Sequence, residues 1–206
     1  MQTKRSIALA TTTPDPVSAL EAARLAAEKV DVFCQAGSIA IPARASALLA
    51  FVEPMVHGVR RPKGGLFHPK VWFVRYVDAQ GDPSYRLLVL TRNLTNDRSW
   101  DIAVRLDSQG VATKPLPVND PLSRFLSDLP GRTVSAVPRA RRERVKALAA
   151  EARFVVWGLP EGADGLCFHY LPDPGFDTVG ARHLVVSPFL NDPGLDQLVG
   201  ETPQAM

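Results

Sequence analysis

Helix-forming segments alternate with β-prone segments along this chain, and that alternation constrains its fold more than any other feature. Residues 17–30 are rich in Ala, Leu and Glu, and Leu20, Ala23 and Ala27 lie near helical spacing, which predicts a helix. Residues 138–153 form a strongly basic helical segment that opens on a proline. The alternation predicts an α/β protein in which helices flank a mixed β-sheet.

The remaining segments continue this pattern. We expect further helices at 45–56 and 120–129, and strands at 4–13, 31–41, 67–77, 85–91, 100–106, 154–157 and 183–189. We expect 1–135 to form the main unit, 136–182 to hold the basic helix and a connecting segment, and 183–206 to begin a second, incomplete unit.

Composition excludes several classes of protein. The chain is 46% apolar and 22% charged, which is enough to bury a core. No apolar run approaches the roughly 20 residues that a membrane-spanning helix needs, so no membrane partner is expected. The apolar patch near the start is too short for a signal peptide. Neither a disulfide nor a zinc cluster is expected from Cys34 and Cys167, so a cytoplasmic location is predicted.

Positive charge is concentrated in the first three quarters of the chain. Of the 24 basic residues 18 are arginine, whose planar fork fits phosphate oxygens. Residues 154–206 carry one base against seven acids, so 1–153 hold a net charge of +9. This imbalance favours a polyanionic partner for the first part.

Two of the predicted strands, 67–77 and 85–91, are joined by a short polar segment and predict a β-hairpin. His68 and Lys70 lie two positions apart near the start of the first strand, so their side chains face the same side. The hairpin would return Thr91 and Asn93 to these residues.

An imidazole, an ammonium and a carboxamide at one place suit phosphodiester cleavage without a metal or cofactor. The imidazole of His68 can attack phosphorus and form a phosphohistidine, while Lys70 and Asn93 hold the non-bridging oxygens. Nearby bases would attract an anionic substrate: Arg61, Lys63 and Arg92. From 54 to 77 the chain has five bases and no acid.

The segments HPKVWFVRY and LTRNLTNDRSW resemble the phospholipase D superfamily, whose half-site is H-x-K, a hairpin, and a polar residue followed by x-Asn-Leu. The likeness is greatest to the tyrosyl-DNA phosphodiesterase branch. This resemblance implies that His68 is the nucleophile or the acid–base histidine, and that Lys70 and Asn93 bind phosphate. Thr91 and Trp100 match the branch's Ser or Thr and its tryptophan.

Two residues depart from the lipid-hydrolysing branch of that family. Arg75 stands where that branch has an acid, and Leu90 stands where it has glycine. Both departures argue against lipid hydrolysis and favour the H-x-K…N variant, whose substrate here could be DNA, RNA or another diester.

Family enzymes assemble one site from two halves, whereas this chain has a single H-x-K. Residues 183–199 resemble the opening of a second half. The resemblance therefore implies either a longer two-half protein or a homodimer that shares one site. The alternative function is a non-catalytic half-site that binds phosphate or nucleic acid without its partner histidine.

Plainer structural roles stand beside these. Taken alone, His68 could be a structural histidine at a strand start, Lys70 a solvated edge lysine and Asn93 a turn residue. We expect His57 to lie in a surface loop, and the basic helix at 138–153 to present a solvated face more readily than a nucleic-acid contact.

Overall fold

The computed structural model describes residues 15–38, 47–91 and 101–170. Its α-helices are α1 (Pro16–Ala27), α2 (Ala47–Val52), α3 (Asp120–Asp128) and α4 (Arg139–Ala152). Its strands are β1 (Val32–Gln35), β2 (Val56–Val59), β3 (Val71–Val77), β4 (Pro83–Leu90), β5 (Ala103–Val111) and β6 (Val155–Trp157). Short 3₁₀ turns precede β2 and flank α3.

The larger sheet is antiparallel, with strand order β3-β4-β5-β6. Its first two strands form the hairpin that the sequence predicts, with Val71 paired to Val89 and Val77 to Pro83. The turn closes on Asp78, whose carboxylate accepts the backbone N–H groups of Gln80 and Asp82 at 2.9 and 2.8 Å. This local cap explains why a polar connection yields a tight hairpin.

One face of this sheet packs on α3 and α4 and forms the core. Tyr85 and Leu87 face the core and are 4% and 1% exposed. Arg86 and Leu88 alternate with them, lie on the opposite face and are half-buried. The alternation follows the two-residue period of a strand. Burying Leu87 alone contributes about 2 kcal/mol. The other buried apolar side chains of this core are Leu106, Leu122, Leu126, Leu129, Ala149, Ala152, Val155 and Trp157.

The smaller sheet is a parallel pair, β1 with β2, in which Val32 pairs with Val56. The end of β2 is tied to the segment that follows α3, because Val59 bridges Thr133 and the N–H of Val134 donates to the carbonyl of Gly58 at 2.7 Å. The end of β2 therefore lies beside the connection between α3 and α4.

The expectation of a surface loop for His57 is wrong. His57 lies inside β2 and is 8% exposed. Its Nε2 lies 3.0 Å from Oδ1 of Asp31, whose side chain is 7% exposed. The histidine can be buried because this carboxylate satisfies its ring nitrogen.

Asp31 also anchors the basic helix α4. The guanidinium groups of Arg141 and Arg144 donate to its two oxygens at 3.0 and 2.6 Å. Arg141 additionally donates to the backbone carbonyls of Ala27 and Val30, at the end of α1. Two arginines of this helix therefore pair with a buried carboxylate, Arg141 at 15% and Arg144 at 37% side-chain exposure. We refer to Asp31, His57, Arg141 and Arg144 as the Asp31 cluster.

The α/β class is confirmed, and parallel and antiparallel strand pairs both occur. They lie in two separate sheets within the described residues. No helix in this described part is long and apolar enough to cross a membrane. The strands expected at 4–13 and 183–189 lie outside the described residues, and the division of the chain at 135 and 182 stays a prediction.

Candidate active site

The candidate site lies at the open end of the β3–β4 hairpin, opposite its turn. The N–H of Leu90 donates to the carbonyl of Lys70 at 2.9 Å, so the ladder continues one pair beyond β3. The same register places Pro69 across from Thr91. The hairpin therefore brings Thr91 back beside the H-x-K segment, as its length and turn predict.

His68 and Lys70 are in direct contact. Nζ of Lys70 lies 2.6 Å from Nδ1 and 2.9 Å from Nε2 of His68, and it also donates to the His68 carbonyl at 3.1 Å. Only an unprotonated ring nitrogen can accept from an ammonium. A neutral imidazole is the state in which a ring nitrogen can act as a nucleophile, and Nζ of Lys70 lies within hydrogen-bond distance of this ring.

Lys70 is half-buried, whereas His68 is exposed. Desolvation by the surrounding protein lowers the pKa of Lys70 below its ordinary value. A partly desolvated ammonium interacts more strongly with an anion than a fully hydrated one, because the local dielectric is lower. Lys70 is therefore suited to holding a phosphate oxygen beside the imidazole.

A side chain of β1 holds the segment that carries His68. The N–H of Phe67 donates to Oε1 of Gln35 at 3.0 Å, and Phe67 packs against the core. This contact ties the residue before His68 to the parallel sheet. The position of the imidazole therefore depends on both sheets.

Thr91 is engaged with the start of β5. Its N–H donates to the carbonyl of Ile102 at 3.1 Å, and its hydroxyl accepts the N–H of Ile102 at 3.0 Å. The hydroxyl also lies 3.3 Å from Oδ1 of Asp101. Thr91 thus fastens the end of β4 to the residues that precede β5, and it brings a carboxylate close to the site.

Arg61 and Lys63 lie in the loop between β2 and β3, and both are exposed. Nε of Arg61 donates to the carbonyl of Gly65 at 2.8 Å. Gly64 adopts a φ of +74°, a conformation that favours glycine, within this local turn. The loop is thus ordered by its own contacts. Arg92, Asn93 and Trp100 lie outside the described residues, so their place in the site stays a prediction.

Sequence reasoning missed two contributions to the site, from Gln35 and Asp101, and one contact outside it. Gln35 and Asp101 reach the site through hydrogen bonds between residues 32 and 10 positions apart, and no local pattern marks them. The contact outside the site joins Sγ of Cys167 and Nε2 of His169 at 3.2 Å, and both residues are exposed. Their two-residue spacing was a signal that could have found it.

The site presents an imidazole, His68, beside a hydrogen-bond-donating cation, Lys70. Such a pair can attack or bind a phosphate ester while stabilising its negative charge. Across the three described stretches, no three His, Cys, Asp or Glu side chains gather in a way that could hold a metal ion.

Comparisons with protein-family models, with curated proteins and with solved structures find no match to this chain. The resemblance to the phospholipase D superfamily therefore depends on the motif residues themselves.

Proposed function

We propose that this protein is a phosphodiesterase of the phospholipase D type that needs no metal and hydrolyses nucleic acid in the cytoplasm through a phosphohistidine intermediate. The observation that carries the proposal is the contact between His68 and Lys70 at the open end of the hairpin. The contact supports the proposal because it puts an imidazole and an ammonium within hydrogen-bond distance of each other.

In the first step, a ring nitrogen of His68 attacks phosphorus, and the bond from phosphorus to the leaving oxygen breaks. The leaving oxygen takes a proton from a second acid, and the imidazole is left bonded to the phosphoryl group. Lys70 stabilises the charge on the non-bridging oxygens, and Asn93 is expected to do the same. Water then attacks phosphorus, the P–N bond breaks, and His68 is regenerated as a proton passes to the second group.

The second acid has to come from elsewhere. The chain contains one H-x-K, so the partner histidine would be supplied by a second copy or by a further half that begins near 183–199. A site shared between two copies gives a rate that rises with the square of the protein concentration below the dissociation constant of the dimer. A site completed within one longer chain gives a linear dependence.

The single H-x-K also supports a second candidate, a half-site that binds phosphate or nucleic acid without turnover. Lys70 would then hold a phosphate oxygen, and His68 would only orient the ammonium. This candidate predicts an oligonucleotide affinity that falls with added salt and no covalent intermediate.

The test is hydrolysis of bis(p-nitrophenyl) phosphate and of a labelled oligonucleotide by the 206-residue chain, with a chelator present. We expect His68→Ala to abolish turnover and Lys70→Ala to lower kcat by about 10²- to 10³-fold, the usual cost of removing a donor to a developing oxyanion. His169→Ala and Lys146→Ala are matched controls, because each removes the same side-chain type from an exposed position elsewhere. Both controls should keep the wild-type rate.

Turnover that survives His68→Ala would refute the proposed nucleophile. No turnover by the 206-residue chain at any protein concentration, together with salt-sensitive oligonucleotide binding, would refute a site completed by a second copy and favour the half-site that only binds.

A further inference from the structure

The face of the antiparallel sheet that looks away from α3 and α4 carries exposed aromatic rings and cations. Lys70, Trp72 and Tyr76 lie on this face, because they alternate with Phe73, which packs on the core. Trp72 and Tyr76 are 44% and 46% exposed. Large aromatic side chains that are half-exposed in this way are typical of contact surfaces.

Three charged side chains from β4 and β5 complete this surface. Arg86 lies over the ring of Tyr76, with its guanidinium carbon 5.6 Å from the ring centre. Arg86 and Arg105 both contact the carboxylate of Asp107, through their Nε atoms, at 2.6 and 2.7 Å. We call the surface formed by Lys70, Trp72, Tyr76, Arg86, Arg105 and Asp107 the open face.

The open face has a net positive charge, since one carboxylate opposes two guanidinium groups and one ammonium. The carboxylate of Asp107 accepts from both arginines, so their guanidinium groups are already oriented before any partner binds. A polyanion therefore fits this surface better than a second copy of the same face, which would bring like charges together.

The aromatic rings narrow the choice of polyanion. Bases in a duplex are already stacked on each other, whereas the bases of a single strand can stack on exposed aromatic side chains of a flat sheet. Trp72 and Tyr76 are four residues apart on one strand, a separation of about 13 Å. A strand that crosses both rings therefore passes along β3 and arrives at Lys70 and His68.

We propose that the open face is the docking surface for a single strand of nucleic acid, whose bases stack on Trp72 and Tyr76 and whose phosphate backbone leads into the His68–Lys70 pair. The inference rests on the proposed function for the placement of a phosphodiester at His68. If this docking surface leads to the His68–Lys70 pair, the substrate of that pair is single-stranded nucleic acid.

The experiment measures binding of fluorescein-labelled oligo(dT) and of a duplex of the same length by fluorescence anisotropy, with no turnover required. We expect Trp72→Ala and Tyr76→Ala each to weaken oligo(dT) binding about tenfold. Arg105→Gln should lower the slope of log affinity against log salt by about 0.7. Phe51→Ala is the matched control, because Phe51 is a partly exposed aromatic residue on α2. This variant should bind oligo(dT) with the wild-type affinity.

Trp72→Phe guards against misfolding, because phenylalanine keeps an aromatic face and most of the packing. This variant should retain most of the oligo(dT) affinity. The tryptophan quenching that wild type shows on binding oligo(dT) should be smaller in Trp72→Phe, because Trp72 supplies part of that signal.

Unchanged oligo(dT) affinity in both alanine variants, or a duplex that binds as tightly as the single strand, would overturn the inference. A second result would also overturn it: wild type binds no oligo(dT) and self-associates, and Trp72→Ala abolishes that self-association. Binding through Trp72 and Tyr76 by a chain that hydrolyses no diester at any concentration would refute a site completed by a second copy and support the docking surface. If the protein hydrolyses a diester but its oligo(dT) affinity is unchanged in Trp72→Ala and Tyr76→Ala, the docking surface alone is refuted.

Discussion

Replacing Asp31 with alanine removes the carboxylate that holds β1, β2 and α4 together. Asp31 is almost fully buried and accepts from His57, Arg141 and Arg144 at 2.6 to 3.0 Å. Removing one partner of a buried ion pair costs about 3–5 kcal/mol, because the other partner is left buried and unpaired.

Two observations place Asp31→Ala at the lower end of that range. The Arg144 side chain is 37% exposed, so water can solvate its guanidinium when the carboxylate is gone. Arg141 is 15% exposed but keeps the carbonyls of Ala27 and Val30 as acceptors. We therefore expect Asp31→Ala to lower the free energy of unfolding by about 3 kcal/mol.

Urea denaturation followed by the fluorescence of the tryptophans measures this loss. The midpoint should fall while the m-value stays the same, since the exposed surface on unfolding is unchanged. Asp120→Ala is the matched control, because Asp120 pairs with Arg153 at 2.9 Å and both side chains are more than 40% exposed. That variant should lose less than about 1 kcal/mol. An equal, small loss in both variants would refute the role of the Asp31 cluster as a buried clamp.

Two further predictions concern titratable groups. The hydrogen bonds that His57, Arg144 and Arg141 make to Asp31 outweigh its desolvation and lower the pKa of Asp31, so its stabilising contribution is full above its unfolded pKa and is lost as pH falls through the lower folded pKa. Urea titrations across the acid range should show a smaller loss of stability in Asp31→Asn than in wild type, and parallel curves would contradict this. An aromatic disulfide reagent should label exposed Cys167 before Cys34, because burial raises the pKa of Cys34 and Cys167 lies beside His169; equal labelling rates would contradict this.

The elements that sequence predicts correctly are those fixed by local interactions. The β3–β4 hairpin follows from alternating apolar residues on both sides of a polar turn, and Asp78 caps that turn with its own neighbours. Helices α1 and α4 begin and end within three residues of the predicted bounds. The contact between His68 and Lys70 is also local, because it needs only two positions of one extended chain.

The elements that sequence misses depend on partners far along the chain. Strand β2 has four residues, and its parallel partner β1 lies 24 positions earlier. His57 was expected at the surface because nothing near it in sequence indicates Asp31, 26 residues away, or the arginines of α4. The same reason hides the contribution of Asp101 to the site, since the pairing of β4 with β5 decides which residues meet Thr91.

The most direct measurement of the central claim is the location of a covalent phosphoryl group on the protein. The chain is mixed with a phosphodiester substrate and quenched in alkali, which preserves the P–N bond, and the adduct is mapped by peptide mass spectrometry. We predict an adduct on His68 that Lys70→Ala diminishes and His68→Ala eliminates. Turnover with an adduct on another residue, or with no adduct at any quench time, would contradict the account.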